Sequence, residues 1–392
     1  MNGKPNLYSF VFFSFGFFTF SPVSSFITIE LLRLPFAVPE FFFLAFFPLI
    51  KNKVDFRLTR GYTMQFSMLF LFLILFISFI YQKYDLISIL STFRGYFYLV
   101  LAISVFNRYN ETSLEDVFYI CFGSTFGWLI LSLLQFNSLV VGNQTDGSLA
   151  VYGNMVALSL LVIIPVFINL RRIQVFSLIV CTFLSFFSGV RRQIFVFIIS
   201  LTLSFFSSFK IDFFQAIKRF IIPVLFIFLI IINYSSISSY FFSISPDLHL
   251  RVFLKSESLL QGEFSNADNI RSNNFNIYFN SIDDLIFPRG FVSKRTSIDS
   301  SLGIFIDFPL LELTYTFGLF LVIIFFIFYL YNLIKRFIFF FFLNHIESGI
   351  WFSSGLILLF LLFLDGTFLR DAYITPFTGF VVANVIKRKG IF

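Results

Sequence analysis

Arginines set where an apolar chain has no ordinary use for them are the residues of this sequence that could do chemistry. Arg191 and Arg192 stand in Ser188-Gly189-Val190-Arg191-Arg192-Gln193, between two apolar runs with almost no loop to part them. A guanidinium offers a planar fork of donors that meets phosphate oxygens in pairs, which an ammonium cannot do. Successive helical residues differ by about 100° in direction, so one of the two would face the interior of a bundle. Either the pair snorkels to headgroups on its own stems, or it binds an anionic group at a membrane surface. Arg94, in Ser91-Thr92-Phe93-Arg94-Gly95-Tyr96, lies about eight residues inside another apolar run, or roughly 12 Å deep at 1.5 Å per residue. Such a depth is costly in lipid, so Arg94 is expected to face a polar cavity. There it would pair with Asp146 or Asp365, or contact a ligand.

A third group falls in a polar stretch from Ser235 to Pro309: Arg251, Arg271, the run Phe287-Pro288-Arg289-Gly290, Lys294, Arg295 and Asp299, with Glu312 just beyond. Pro288 and Gly290 make a turn that would present Arg289 from a constrained backbone. Each charge taken singly is a solvated surface residue; order and spacing give the group its weight. Phe275, Phe279, Ile282 and Ile286 recur at helical spacing, with Asn276, Asp283 and Asp284 mostly off their face. This pattern predicts a folded, partly helical cap rather than a linker. With six basic and eight acidic residues over 235–309, the cap is not simply a basic lid that attracts anions.

The elements that must position these residues are membrane helices. Of 392 residues 58% are hydrophobic and 12% charged, and the mean hydropathy is +0.90. A soluble domain is nearer a quarter charged. Repeated apolar runs of the length a bilayer requires predict an all-α polytopic integral membrane bundle. Spans are expected at about 7–24, 34–50, 64–81, 86–106, 117–135, 149–170, 174–189, 194–209, 219–234, 310–332, 348–364 and 371–386, about twelve in all. The chain then divides into an N-terminal bundle over 1–234, a cap over 235–309 and C-terminal helices over 310–392.

Orientation follows from the side on which basic residues fall. Lys51, Lys53, Arg57 and Arg60 share one side with Arg171, Arg172, Lys210, Lys218 and Arg219. Lys335, Arg336, Lys387, Arg388 and Lys389 continue the series, so both termini are expected to be cytoplasmic and the cap outward. The first span, preceded only by Lys4 and without a small-residue cleavage site, reads as a retained anchor. Arg191 and Arg192 then lie on the outer side, against the charge bias, which favours a ligand over a topological signal.

Several classes are excluded on composition. Cys121 and Cys181 both fall in predicted spans, so neither a disulfide framework nor a thiolate site is supported. His249 and His345 are too few for a histidine metal site. The net charge of +7 suits membrane orientation better than nucleic acid, because no basic run is interleaved with aromatics. The 69 phenylalanines satisfy lipid-facing helices and carry little functional information.

Taken in order, a run of helices, Ser-Gly-Val-Arg-Arg at an outer hairpin, a further pair of spans, a large outer loop with an arginine, a Pro-x-Gly turn and a short polar motif before a helix containing Gly318 resemble the Wzy-type O-antigen polymerases. The related O-antigen ligases share the pattern. Where the ligases present a histidine before the post-loop helix, this chain has Ile298-Asp299-Ser300-Ser301. The resemblance implies glycosyl transfer, independent of metal and without a cofactor, at the outer face of a bacterial inner membrane. The donor would be a polymer on undecaprenyl pyrophosphate and the acceptor a repeat unit on the same lipid. A chain-length regulator and a flippase of the same pathway would be partners.

Arg191 matches the family's hairpin arginine, and Arg271 or Arg251 its loop arginine. On this reading Arg191 and Arg271 bind pyrophosphate, with Arg289, Arg192, Arg94 and Arg251 in support, and Asp299 is the base. Asp268, Asp283, Asp284 and Glu312 are the alternative bases. Tyr278 and Phe291 would either stack on sugar rings or pack within the cap. The competing readings are a ligase, a flippase whose path is lined by Arg94, Arg191 and Arg370, and an assembly partner that uses the cap. The folded outer segment and the lack of an internal repeat fit a transporter poorly.

Overall fold

The structure is a computed structural model that describes residues 7–33, 38–50, 62–81, 86–108, 114–134, 153–168, 171–187, 191–211, 232–244, 285–291, 309–364, 367–371 and 373–387, with 217, 221, 225, 228 and 229 singly. Its regular structure is helical throughout. In chain order the helices are α1 (Leu7–Thr19), α2 (Pro22–Ser25, continued by a π-helical turn over Phe26–Leu31), α3 (Glu40–Ile50), α4 (Tyr62–Tyr81), α5 (Leu86–Arg108), α6 (Leu114–Leu134), α7 (Met155–Phe167) and α8 (Arg171–Phe187). There follow α9 (Arg191–Ile211), α10 (Tyr234–Ile244), α11 (Pro309–Phe317), α12 (Leu319–Phe341), α13 (Ile346–Leu364), α14 (Thr367–Arg370) and α15 (Thr375–Ile386).

Among the described residues three helical segments are long and apolar enough to cross a membrane: Leu114–Ser132, Leu319–Phe341 and Ile346–Phe363. Tyr8–Thr19 and Pro22–Ile29, bent by 57° at Phe20-Ser21, would together make a fourth. The other apolar helices, such as Gln65–Ile80 and Gln193–Ser208, are shorter than the ~20 residues that span a bilayer untilted. The chain is thus all-helical with membrane-suited helices. The cap positions 245–284 and most of the expected span 219–234 lie outside the described residues.

Besides 7–24, bent at Phe20-Ser21, two expected spans differ among the described residues. The run 310–332 divides into α11 and α12 at Gly318, whose φ of +84° no continuing α-helix can hold. The run 371–386 begins only at Thr375, with Pro376 in the first turn, where its missing N–H costs nothing.

The chain forms two compact units, each discontinuous in sequence. The first joins Met1–Leu49 to Ser113–Ser265. Here α1 and α6 cross with their backbones in contact: a Cβ on Gly16 would lie 2.1 Å from the Ile120 carbonyl oxygen, and one on Gly123 2.0 Å from that of Phe13. Small residues at such crossings are how membrane helices approach closely. Every residue of α7 from Met155 to Val166 is buried, and Asn154 caps its start by accepting from Ala157 N at 2.9 Å. Two hydroxyls inside this unit are satisfied on their own helices: Thr182 donates to Leu178 O and Ser185 to Cys181 O, both at 2.7 Å. Cys121 and Cys181 are buried free thiols.

The second unit joins Ile50–Thr112 to Asn266–Phe392. Its α5 packs on α15, where Phe106 meets Phe380 edge-on at 4.8 Å. One face of α12 is buried through Val322, Tyr329, Asn332, Leu333, Arg336 and Phe340, while Phe320, Ile324, Phe328 and Tyr331 are exposed. That outer face is as apolar as a lipid-facing helix requires. Arg336, which sequence reading assigns to the positive-inside series, is only 5% exposed. Its Nε donates to Val385 O at 3.1 Å and its Nη2 to Asn384 O and Lys387 O, both at 2.7 Å. The carbonyls that end α15 have no partner within their own helix, and a cation is the best cap for them. Arg336→Met is therefore expected to cost about 3 kcal/mol, since it strands buried acceptors that a charged donor had satisfied. The melting temperature of the detergent-solubilised protein checks this, and no shift would mean that other donors cap α15.

Candidate functional site

The described end of the polar stretch, Leu285–Phe291, docks onto helices of the second unit and builds the best-defined candidate site. Pro288 fixes the backbone of the turn, and Gly290 takes φ +95°, the region glycine alone enters freely. Arg289 N–H donates to Tyr315 O in α11 at 2.9 Å. Phe291 N–H donates to Ser78 Oγ in α4 at 2.7 Å, and that hydroxyl in turn donates to Ile74 O at 2.7 Å. Contact on both flanks is close: a Cβ on Gly290 would lie 2.3 Å from Ser78 Oγ, and one on Gly318 2.8 Å from Ile286 O. The chain bends at Ile286 and Phe287, just before the Pro-x-Gly run where sequence places the turn, and presents a half-buried Arg289 from a backbone held at two points.

Phe291 is completely buried. Its ring lies 5.4 Å from Tyr96, 5.6 Å from Phe93 and 6.3 Å from Phe317. Of its two sequence readings, packing is the one found, though against helices rather than inside a cap. Tyr96 also meets Phe317 edge-on at 5.3 Å, and its hydroxyl donates to Glu312 Oε1 at 3.1 Å. Tyr96 is 1% exposed and Glu312 0%. An ionisable side chain so sheltered in an apolar helix pair is a functional-site candidate with a named partner. Tyr96→Phe removes a buried donor from that carboxyl, and the expected cost is about 1–3 kcal/mol. A melting temperature equal to wild type would show that Glu312 draws its support elsewhere.

Arg94 is half-buried, with its guanidinium 6.0 Å from the Tyr98 ring centroid, a cation–π distance. Two residues along a helix turn the direction by about 200°, so Arg94 falls on the side of α5 away from Tyr96 and Glu312. Asp146 and Asp365, its sequence-level partners, lie outside the described residues.

Arg191 and Arg192 open α9, a helix of 21 residues. Its buried face runs through Gln193, Val196, Phe197, Ser200 and Ser204, whereas Phe195 and Ile198 are 55% and 48% exposed.

Arg251, Arg271 and Asp299 lie outside the described residues, as do Asp268, Tyr278, Asp283, Asp284, Lys294 and Arg295. Sequence reasoning named Glu312, at the entry to a span, as an alternative base, but missed Tyr96 as its partner and Ser78 as the anchor of the turn. The one available signal was the cluster of polar residues around Tyr96, from Ser91 and Thr92 to Arg94. Neither the models of known protein families nor the curated protein sequences give a match to this chain.

Proposed function

We propose that this protein is a surface-polysaccharide polymerase of the Wzy type, which joins repeat units carried on undecaprenyl pyrophosphate at the periplasmic face of a bacterial inner membrane. About twelve spans, cytoplasmic termini and a periplasmic cap complete the reading. The observation that carries it is the docked turn: the polar stretch returns onto the helices with Arg289 on a glycine-pinned backbone, at the helix that holds the sheltered Glu312. A cationic group on a fixed backbone suits transfer from a phosphorylated sugar, whose leaving group gains negative charge.

In the reaction an acceptor hydroxyl oxygen bonds to the donor's anomeric carbon as the bond from that carbon to the pyrophosphate oxygen breaks. The proton passes to a carboxylate, and the electron pair leaves with the pyrophosphate. Arginine donors fixed in advance stabilise the charge that grows on the leaving group. Arg191 and Arg271 take that role, with Arg289, Arg192, Arg94 and Arg251 in support. Asp299 takes the proton; Glu312 is the alternative whose surroundings are described.

The test is the surface glycan of a deletion strain, resolved by size. Collapse of a ladder to core plus one repeat, restored by the wild-type gene, is the expected outcome. Polymer accumulating on its carrier lipid would point to a ligase, and repeats stranded on the inner face to a flippase. An unchanged ladder would end the proposal.

A further inference from the structure

Gln193 is completely buried, and neither its Nε2 nor its Oε1 has a hydrogen-bond partner in the protein. Among the described residues the other buried side-chain atoms in this condition are serine and threonine hydroxyls. A hydroxyl leaves a single oxygen unused, whereas Gln193 strands a donor group and an acceptor at once. An apolar side chain of similar length would stabilise this position better, because it brings no polar group out of water. The amide therefore needs a reason to be there.

Its place in the fold supplies one. Gln193 is the third residue of α9, directly after Arg191 and Arg192. Helical side chains lean toward the N-terminus, so the amide lies over the first turn of α9. There the backbone N–H groups have no partners within the helix and the helix dipole is positive. Connectors of three residues on either side of α8 make α7 and α9 run in the same direction. The start of α7, capped by the buried Asn154, is thus at the same end.

Ser204 Oγ, which donates to Val162 O at 3.3 Å, sets the register of these two helices. Counting back from that bond, Gln193 stands about four residues, or roughly 6 Å, beyond the first residue of α7. The amide overhangs the end of α7 instead of lying against its flank, so α7 has no group at its level to offer it.

We infer that Gln193 reads the substrate: its amide donates to and accepts from saccharide hydroxyls adjoining a phosphate held at the start of α9. The inference rests on the proposed transfer from a pyrophosphate-linked saccharide and adds to it a residue that selects the sugar. A phosphate suits the first-turn N–H groups, which have no partner within their own helix. The amide, which has no charge to offer, matches a neighbouring group that both donates and accepts.

Gln193→Leu separates this role from a structural one. The variant is expected to melt at or above the wild-type temperature in detergent, while its strain makes about tenfold less polymer or worse, the loss of one well-used hydrogen-bonding side chain. A lower melting temperature would overturn the inference, because the amide would then have partners in the protein. So would a wild-type ladder from Gln193→Leu at equal protein level. If the deletion strain itself keeps its ladder, the polymerase reading falls and this inference with it. If only Gln193→Leu keeps it, the inference alone falls.

Discussion

Arg191→Ala is expected to reduce the surface glycan from a ladder to core plus a single repeat, at unchanged protein level. Charge develops on the departing pyrophosphate only as the transition state forms, and the removal of one preorganised donor to such charge lowers rates by about 10²–10³-fold. A loss of that size leaves single-repeat product and almost no polymer. The fold should tolerate the change, because Arg191 is the first residue of α9, outside the helix interior. Arg191→Lys should rescue only in part, since an ammonium keeps the charge and loses the paired donors. Arg192 must be compared in the same strain, because it is the adjacent member of the same arginine pair. A ladder kept by Arg191→Ala and lost by Arg192→Ala would move the anion contact one residue along. Full-length polymer from both variants would remove the arginine pair from the mechanism.

What could be read in the sequence is what local patterns carry. The apolar runs announce α4 to α9 because each is bounded by charges or turn residues within a few positions of its ends. The break at Gly318 is not announced, because Leu310 to Tyr331 is one nearly unbroken apolar run. It is required by the approach of Ile286 O from a distant segment, which no local pattern records. The same holds for pairs. Glu312 stands out as a lone acid, but the phenol it accepts from lies 216 residues earlier in the chain. Arg336, which sequence counts among the basic residues expected on one membrane side, is held by the carbonyls of α15, 48 to 51 residues later in the chain. The side of α5 that Arg94 takes is not legible in the sequence, since which neighbour occupies each face of α5 is decided by tertiary packing. Arg271, Arg251 and Asp299 lie outside the described residues, so their proposed roles rest on the sequence reading alone.

Gly290→Val is expected to be among the most destabilising single substitutions in the second unit, at about 3–5 kcal/mol. Two costs add. A β-branched residue forced to φ +95° is strained by about 1–3 kcal/mol. Its Cβ would also stand 2.3 Å from Ser78 Oγ and 2.6 Å from Ser78 Cα, and overpacking of this kind costs about 1–3 kcal/mol. Because the nearest backbone atom is a Cα, a rotation of the serine side chain cannot make room, so α4 and the turn must separate. Separation breaks the bond from Phe291 N–H to Ser78 Oγ and draws the Phe291 ring away from Tyr96. Arg289 then loses its fixed mount even though its own side chain is untouched. The expected observations are a lower melting temperature in detergent, new protease cleavage at the turn, and loss of polymer comparable to that of Arg289→Ala. Phe287→Ser is the matched control, since Phe287 is 74% exposed and its replacement should change stability by no more than about 0.5 kcal/mol. If Gly290→Val melts with the wild type and polymerises normally, the turn is not held against α4, and Arg289 cannot owe its position to it. If Ser78→Gly restores part of the loss while Gly290→Val alone does not polymerise, the clash with that side chain is real. The remainder then measures the backbone strain that only glycine avoids.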